Sequence, residues 1–152
     1  MKPVLQALVL AEKVYEAKNG SKIIVGTFSR ILVRNNLRPK TITDEKGVER
    51  PVVTGGQSGS PYAYISLTDV CNNTRLDLQF VSLEHNKVLF MTQLIVQCHD
   101  RLASVEFIAP LPPFTVDESG AYAFEIVCEG EVIGSHRLMA TVIDEANERD
   151  QQ

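Results

Sequence analysis

Residues 119–143 read SGAYAFEIVCEGEVIGSHRLMATVI and predict two β-strands joined by a tight turn. Apolar side chains alternate there with small or charged ones, which is typical of strands because successive side chains point to opposite faces. The predicted inner faces hold Tyr122, Phe124, Ile126 and Cys128 on the first strand, and Val132, Leu138, Ala140 and Val142 on the second. Glu129 and Gly130 fit a two-residue turn, since glycine tolerates the positive φ that such a turn requires.

Strand signals continue over most of the chain. We predict strands near 22–33, 62–70, 76–81, 88–98 and 103–109, with turns at 71–74 and 84–87. The alternation slips at Phe80 and Val81, which indicates a β-bulge or the end of a strand. About eight or nine strands with little helix predict an all-β fold, a two-sheet antiparallel β-sandwich of immunoglobulin-like or C2-like type.

Residues 4–15 are compatible with two structures. Their Leu, Ala, Glu and Lys content, with Pro3 in front, suits a helix that ends at Gly20. Asn19 and Gly20 are also a strong hairpin-turn signal, and both faces of residues 4–11 are apolar, as in a strand buried on both sides. The β-branched residues after Gly20 favour the hairpin.

A single domain is predicted for residues 1–143, followed by an acidic, flexible tail at 144–152. The one long irregular stretch is 34–60, in which prolines and glycines are frequent, and we predict a long loop there. Short edge strands fit within this loop at 41–43 and 52–53. Its glycine-rich part, residues 54–60, is not a phosphate loop, because it lacks the GKS or GKT ending.

Charge and hydropathy exclude several partners. The net charge is −4, and the tail alone contributes −3 of it. The rest of the chain therefore lacks the basic surface of a nucleic-acid binder, and no nucleic acid is expected. The apolar run at 4–11 is too short for a secretory signal, and no segment reaches the roughly 18 apolar residues of a membrane span. We predict a cytoplasmic protein that does not associate with membranes.

The cysteines give no sign of a metal site or a disulfide framework. Cys71, Cys98 and Cys128 are far apart and show no CxxC spacing, so we predict small, buried or half-buried side chains in a reducing compartment. Cys98, His99 and Asp100 place a thiol, an imidazole and a carboxylate side by side. Because neighbours in a strand face opposite ways, we interpret the triplet as a strand end in a solvated turn.

Other polar side chains also favour structural roles. His85 is predicted in a solvated turn, and His136 as a partly buried, hydrogen-bonded side chain in a strand. Arg34, Arg38 and Lys40 form a small basic patch that we interpret as solvated loop. Four aspartates near strand ends resemble calcium ligands of C2 domains but lack the dense Asp-x-Asp spacing. They are Asp69, Asp77, Asp100 and Asp117. We therefore predict no catalytic, cofactor-binding or metal-binding residue, and no cofactor.

Two stretches resemble known proteins. Residues 118–124, ESGAYAF, resemble the tyrosine corner of immunoglobulin-type sandwiches, in which an acid, a small residue and a tyrosine precede the second disulfide cysteine. Phe124 stands where that cysteine would be, and the chain has no tryptophan. This resemblance implies an immunoglobulin-like or C2-like sandwich without the disulfide.

A broader pattern resembles an uncharacterised bacterial family. It consists of ALVLAEKVY at 7–15 and GSKIIVGTF at 20–28, joined to a late LPPF and GAYAF within 111–124. The resemblance spans most of the chain and implies a bacterial, intracellular protein. It transfers no activity and no functional residue.

The lack of a catalytic motif predicts a non-enzymatic module that interacts with a protein partner. The expected surfaces are the loops at one end or an exposed sheet edge, and an unprotected edge also permits a homodimer. The alternative is a small-molecule or carbohydrate-binding module, if Tyr62, Tyr64 and Tyr122 offer stacking faces. A concave pocket lined by these rings favours a ligand, whereas three buried rings favour interaction.

Overall fold

The computed structural model describes residues 2–35, 40–43, 47, 49–52, 61–113 and 116–144, and within them the chain forms eleven β-strands and no helix. The strands are β1 (Val4–Glu16), β2 (Lys22–Thr27), β3 (Arg30–Asn35), β4 (Lys40–Thr43), β5 (Glu49–Val52), β6 (Tyr62–Thr68), β7 (Thr74–Ser82), β8 (Lys87–Val96), β9 (Val105–Pro110), β10 (Gly120–Cys128) and β11 (Glu131–Asp144). The predicted all-β class is confirmed.

Nine of these strands form two sheets. One sheet has the order β2-β1-β6-β9, and the other has the order β3-β11-β10-β7-β8. The inner faces of both sheets contribute to one buried apolar cluster, so the two-sheet sandwich is also confirmed. One pair departs from the predicted antiparallel arrangement, because the chain crosses between sheets at Phe28 and Ser29 and enters the second sheet as β3, parallel to β11.

The predicted long loop at 34–60 contains a second small hairpin. β4 and β5 pair antiparallel with each other, which confirms the short strand predicted at 41–43 and places the one predicted at 52–53 slightly earlier. Residues 36–39, 44–46, 48 and 53–60, and so the glycine-rich segment, lie outside the described residues, as do the tail residues after Asp144.

The hairpin predicted at the N-terminus is confirmed. β1 pairs with β2, and the connecting turn contains Gly20 at a φ of 88°. The Asn19 side chain accepts a hydrogen bond from the Ser21 backbone N–H at 3.0 Å, which is a usual turn contact. The prediction that β1 is buried on both sides is wrong, because its outward Val4 is exposed.

Strand β10 has its predicted inner face and lies at the centre of its sheet, between β7 and β11. Tyr122, Phe124, Ile126 and Cys128 are all buried. The turn to β11 has positive φ at both central residues, Glu129 at 51° and Gly130 at 80°, as a tight hairpin turn requires.

The predicted inner face of β11 holds at Leu138 and Ala140 but fails at Val132, which is 51% exposed. A β-bulge explains the failure. Ile126 pairs with Gly134 while the next residue of β10 pairs with Val132, so Ile133 is one extra residue on β11. An extra residue inverts the alternation, and Val132 therefore faces solvent.

A second bulge lies between β7 and β8. Phe80 pairs with Phe90 whereas Val81 pairs with Val88, so Leu89 is the extra residue, and the predicted phase slip at Phe80 and Val81 is a bulge. The slip turns Val88 outward, where it is 48% exposed, and corrects its predicted inward position.

Four aromatic rings from three strands of the five-stranded sheet form the centre of the core. The Phe80 ring lies 4.8 Å from the Phe124 ring, 5.5 Å from Tyr122 and 5.6 Å from Phe90, measured between centroids. Offset and tilted rings at these separations attract one another beyond the burial of their area. This cluster holds the inner faces of β7, β8 and β10 against the four-stranded sheet.

Replacing Phe124 by alanine tests this core. Because Phe124 is fully buried, we expect Phe124→Ala to lower the free energy of unfolding by about 3–5 kcal/mol, measured by urea denaturation. Val132→Ala, on the exposed face of the return strand, is the control and should change it by about 0.5 kcal/mol or less. An unfolding curve of Phe124→Ala that overlays the wild type would contradict the assignment.

The two sheets meet closely where β1 passes β11. An alanine methyl group at position 134 would overlap Leu5 Cδ2, so the absence of a side chain at Gly134 makes room for Leu5. Nearby, the His136 ring donates from Nε2 to the Phe28 carbonyl at 2.9 Å, and its Nδ1 lies 3.4 Å from the Leu8 carbonyl oxygen. The predicted role of His136 as a part-buried, hydrogen-bonded side chain is confirmed.

Gly134→Ala should destabilise the protein by about 1–3 kcal/mol, because Leu5 must leave its position. Leu5→Ala removes the side chain that the new methyl group meets. Thermal unfolding of the single and double variants should therefore show the double variant to be more stable than the sum of the two losses predicts. Additive losses would mean that the two residues do not meet.

Candidate functional site

All three cysteines lie at one end of the sandwich, around two polar cavities that share the turn at 71–74. The larger cavity, of about 510 Å³, is lined by Cys71 and Cys128 among others. The smaller, of about 420 Å³, is lined by Cys98, His99 and the two asparagines of the shared turn. Asp69, just before this turn, lies 3.9 Å from the Arg101 guanidinium. This end is a polar loop surface.

The Cys98, His99 and Asp100 triplet has the structural role that was expected. It comes after the end of β8, where the Cys98 thiol donates to the Asp100 carbonyl at 3.0 Å. The Asp100 carboxylate accepts from the Leu102 backbone N–H at 3.0 Å and so closes the turn. His99 is exposed. The triplet therefore forms a capped turn after a strand.

A third cavity, of about 370 Å³, is lined by Ser82, His85, Glu118 and Tyr122 among others. His85 is exposed in a turn as predicted, but its Nε2 also donates to the Glu118 carboxylate. The sequence did not predict this pair, because 33 residues separate its members. Both side chains are more than half exposed, so this contact contributes little to stability.

The geometry of this cavity differs from that of a serine hydrolase. In such a site, one ring nitrogen of histidine meets the serine hydroxyl and the other meets the acid. Here the Ser82 hydroxyl accepts from the backbone N–H of His85, at 3.3 Å, and the ring meets Glu118. Ser82 therefore caps the turn that carries His85.

Tyr122 closes the same region from the core side. Its hydroxyl donates to the Glu118 carbonyl at 2.7 Å, which is the hydrogen bond expected of a tyrosine corner. Burial raises the pKa of Tyr122, and the nearby Glu118 carboxylate raises it further. The ring is buried in the core, so it offers no stacking face to a ligand.

Tyr62 and Tyr64 lie on the outer face of the four-stranded sheet, because they alternate along β6 with Ala63 and Ile65, which are fully buried. Both rings are half-buried. Tyr64 donates to the Glu106 carboxylate at 2.6 Å, and this hydrogen bond raises the pKa of Tyr64. Neither ring lines any of the three cavities described above. The three tyrosines therefore neither line one pocket nor all lie buried, since one ring is in the core and two are on an open sheet face.

The four aspartates that resemble calcium ligands of C2 domains do not form a cluster. Asp69 and Asp77 each lie 3.9 Å from an arginine of their own surroundings, Arg101 and Arg75 respectively. In the part of the chain that the structure describes, no three His, Cys, Asp or Glu side chains come together as a metal site. The basic patch of Arg34, Arg38 and Lys40 lies where side chains are outside the described residues.

The surface that stands out physically is strand β8, at one edge of the five-stranded sheet. Among the described strands it has one neighbour, β7. Cross-strand pairing with the outward residues of β7 places Met91 and Ile95 on the outer face. They are 57% and 65% exposed, although both are large and apolar. An ordinary surface strand would carry polar side chains at these positions.

The other three edges of the two large sheets are each six residues long, and two of them carry features that discourage strand addition. β3 begins with Arg30, and β9 carries Glu106 and ends in Pro110, whereas β2 has one charged residue, Lys22, at its start. β8 is the longest of the four and has a single charge, Lys87, at its start. The bulge at Leu89 affects only its first part, so residues 91–96 form a regular, uncharged edge.

Another apolar patch lies on the β1–β2 hairpin. Tyr15 and Ile23 are cross-strand partners, and Val25 lies on the same face, opposite Lys13. All three apolar side chains are exposed. The lysine and the adjoining charged residues distinguish this face from the edge of β8.

Comparison with models of known protein families gives no match, and comparison with curated proteins gives none either. The resemblance to a bacterial family therefore receives no support, and bacterial origin stays a prediction. The described residues contain no helix long and apolar enough to cross a membrane.

Thiol labelling tests the arrangement of the cysteine end. Cys98 is half-buried and Cys128 is buried, as predicted, whereas Cys71 is exposed and its predicted burial is wrong. Burial raises the pKa of the Cys128 thiol, and the neighbouring Glu129 charge raises it further, so its reactive thiolate is scarce. With a chromogenic disulfide reagent at neutral pH, we expect Cys71 to react first and Cys128 last.

Cys71→Ser should remove the fastest phase of that labelling reaction and leave the slower ones. In denaturant, where burial no longer differs, the three thiols should react at similar rates. A fast phase that survives in Cys71→Ser would contradict the assigned exposures.

Proposed function

We propose that this protein is a non-enzymatic, immunoglobulin-like β-sandwich that works as a protein-interaction module, and that it accepts a strand of its partner at the edge of β8. The observation that carries the proposal is the regular, uncharged edge at residues 91–96 with exposed Met91 and Ile95. Strand addition at such an edge gains main-chain hydrogen bonds, while the flanking side chains supply specificity.

The immunoglobulin-like type is supported by strand order and by one hydrogen bond. β1, β6 and β9 take the places of strands A, B and E in one sheet, and β8, β7, β10 and β11 take those of C′, C, F and G in the other. β10, in the place of strand F, carries Tyr122 as its third residue, and the Tyr122 hydroxyl donates to the Glu118 carbonyl. This order and this bond favour the immunoglobulin-like type over the C2-like type.

A non-enzymatic role is supported by what the polar side chains do. Cys98 and Asp100 bond within their own turn, Ser82 caps the turn at His85, and His136 bonds to a backbone carbonyl between the sheets. Each of these contacts is structural. The three free cysteines agree with a reducing compartment, so we propose a cytoplasmic location.

The alternative of a small-molecule or carbohydrate binder has less support. Its expected feature was a concave pocket lined by tyrosines, whereas Tyr122 is in the core and Tyr62 and Tyr64 lie on an open sheet face. A flat apolar face suits a protein surface better than the deep, mostly apolar cleft typical of small ligands. We therefore favour the interaction function.

A pair of lysines on the β8 edge tests the proposal. Met91→Lys with Ile95→Lys places charges where natural edge strands carry them, and both positions are exposed, so folding should be unchanged. Partners that co-purify with the wild type from the native host are identified, and their binding is remeasured with purified proteins. We expect the double variant to bind at least about tenfold more weakly.

The matched control is Leu32→Lys with Met139→Lys. These side chains are 47% and 49% exposed, and they are neighbours on the outer face at the opposite side of the same sheet. The control variant should bind the purified partner as the wild type does. Equal binding by wild type and both variants, or loss in the control alone, would overturn the proposal.

A further inference from the structure

The exposed part of β8 is symmetric about Gln93. On the outer face, Met91 precedes Gln93 by two residues and Ile95 follows it by two, because side chains alternate along a strand. Both flanking side chains are apolar and exposed, and no charged residue lies between Val88 and Val96. A strand with this pattern is complementary to a reversed copy of itself.

Antiparallel pairing about a two-fold axis at Gln93 makes this complementarity explicit. Met91 of each copy then lies opposite Ile95 of the other, and the two Gln93 side chains lie opposite each other. On the inner face, Thr92 lies opposite the second copy's Leu94. Every facing pair is neutral, so no like charges meet although each chain carries a net charge of −4.

We propose that the partner at the edge of β8 is a second copy of this chain, paired antiparallel about a two-fold axis at Gln93. The two five-stranded sheets join into one continuous ten-stranded sheet. This inference rests on the proposed function, since it names the partner that the edge accepts. The interface is isologous, the commonest symmetry among homodimers.

The size of the contact sets its strength. The pairing covers about seven residues of each strand and buries two exposed apolar side chains per copy. This is less than the roughly 800 Å² per partner of a standard stable interface. The dimer is therefore weak and dissociates on dilution.

Two variants, one with a positive and one with a negative charge at position 93, test both the identity of the partner and the register of the strand pairing. In Gln93→Lys, two ammonium groups face each other across the two-fold axis, and in Gln93→Glu, two carboxylates do so. Both variants should fold, because Asp77 is the cross-strand neighbour of residue 93 and Arg75 lies on the same face. Circular dichroism and thermal unfolding confirm the fold of each variant.

Sedimentation equilibrium then measures association. We expect the wild type to dimerise at about 100 µM, each variant alone to be monomeric there, and their equimolar mixture to form a heterodimer. Thr141→Lys and Thr141→Glu are the controls, because Thr141 is exposed on β11 in the same sheet, away from β8. They should dimerise as the wild type does.

Three results would overturn the proposal. If the wild type is monomeric, the partner is not a second copy of this chain. If both single variants form dimers, the contact lies elsewhere on the surface. If the mixture of the two variants stays monomeric, the two-fold axis does not lie at Gln93. The proposed function has a separate readout in the purified partner of the host. If the wild type is monomeric and the paired lysines at positions 91 and 95 still abolish binding of that partner, only the second copy is excluded.

Discussion

The inward row of side chains on β10 is the constraint on which the sandwich depends. β10 pairs with β7 on one side and with β11 on the other, so its register fixes both neighbours. Phe124 lies opposite Phe80 on β7 and opposite His136 on β11. A slip by one residue would turn this row to solvent and bring the intervening residues, including Glu125, into the core. Burial of the four aromatic rings therefore specifies the register of β7, β8 and β10 together.

Alternation in the sequence predicted this row, because the pattern is local and β10 has no bulge. The same reasoning failed at Val132 and Val88, each of which lies beside an extra residue. The extra residues, Ile133 and Leu89, are ordinary strand formers, so no glycine or proline marks these bulges in the sequence. The parallel pairing of β3 with β11 was also missed, since the choice of a partner strand more than a hundred residues away leaves no local signal.

The candidate interaction edge was only partly predictable. The uncharged run at 88–98 is visible in the sequence, and the alternation correctly placed Phe90, Leu94 and Val96 inward. β8 forms an edge because the chain leaves it through the turn at Asp100 and returns as β9 in the opposite sheet. Edge status is thus a property of topology. The contact between His85 and Glu118 has the same origin in chain topology.

The four edges of the two large sheets differ in how readily they would accept an added strand. A strand that approaches β3 would desolvate Arg30, and one that approaches β9 would meet Glu106 and lack a donor at Pro110. At β8 the same approach removes water from Met91 and Ile95, which is favourable, and satisfies main-chain groups without displacing a charge. Among the edges of the two large sheets, strand addition is therefore opposed at β3 and β9 and favoured at β8, which is longer than β2. This difference supports the proposed association at β8, where the side chains flanking Gln93 would select the strand that fits.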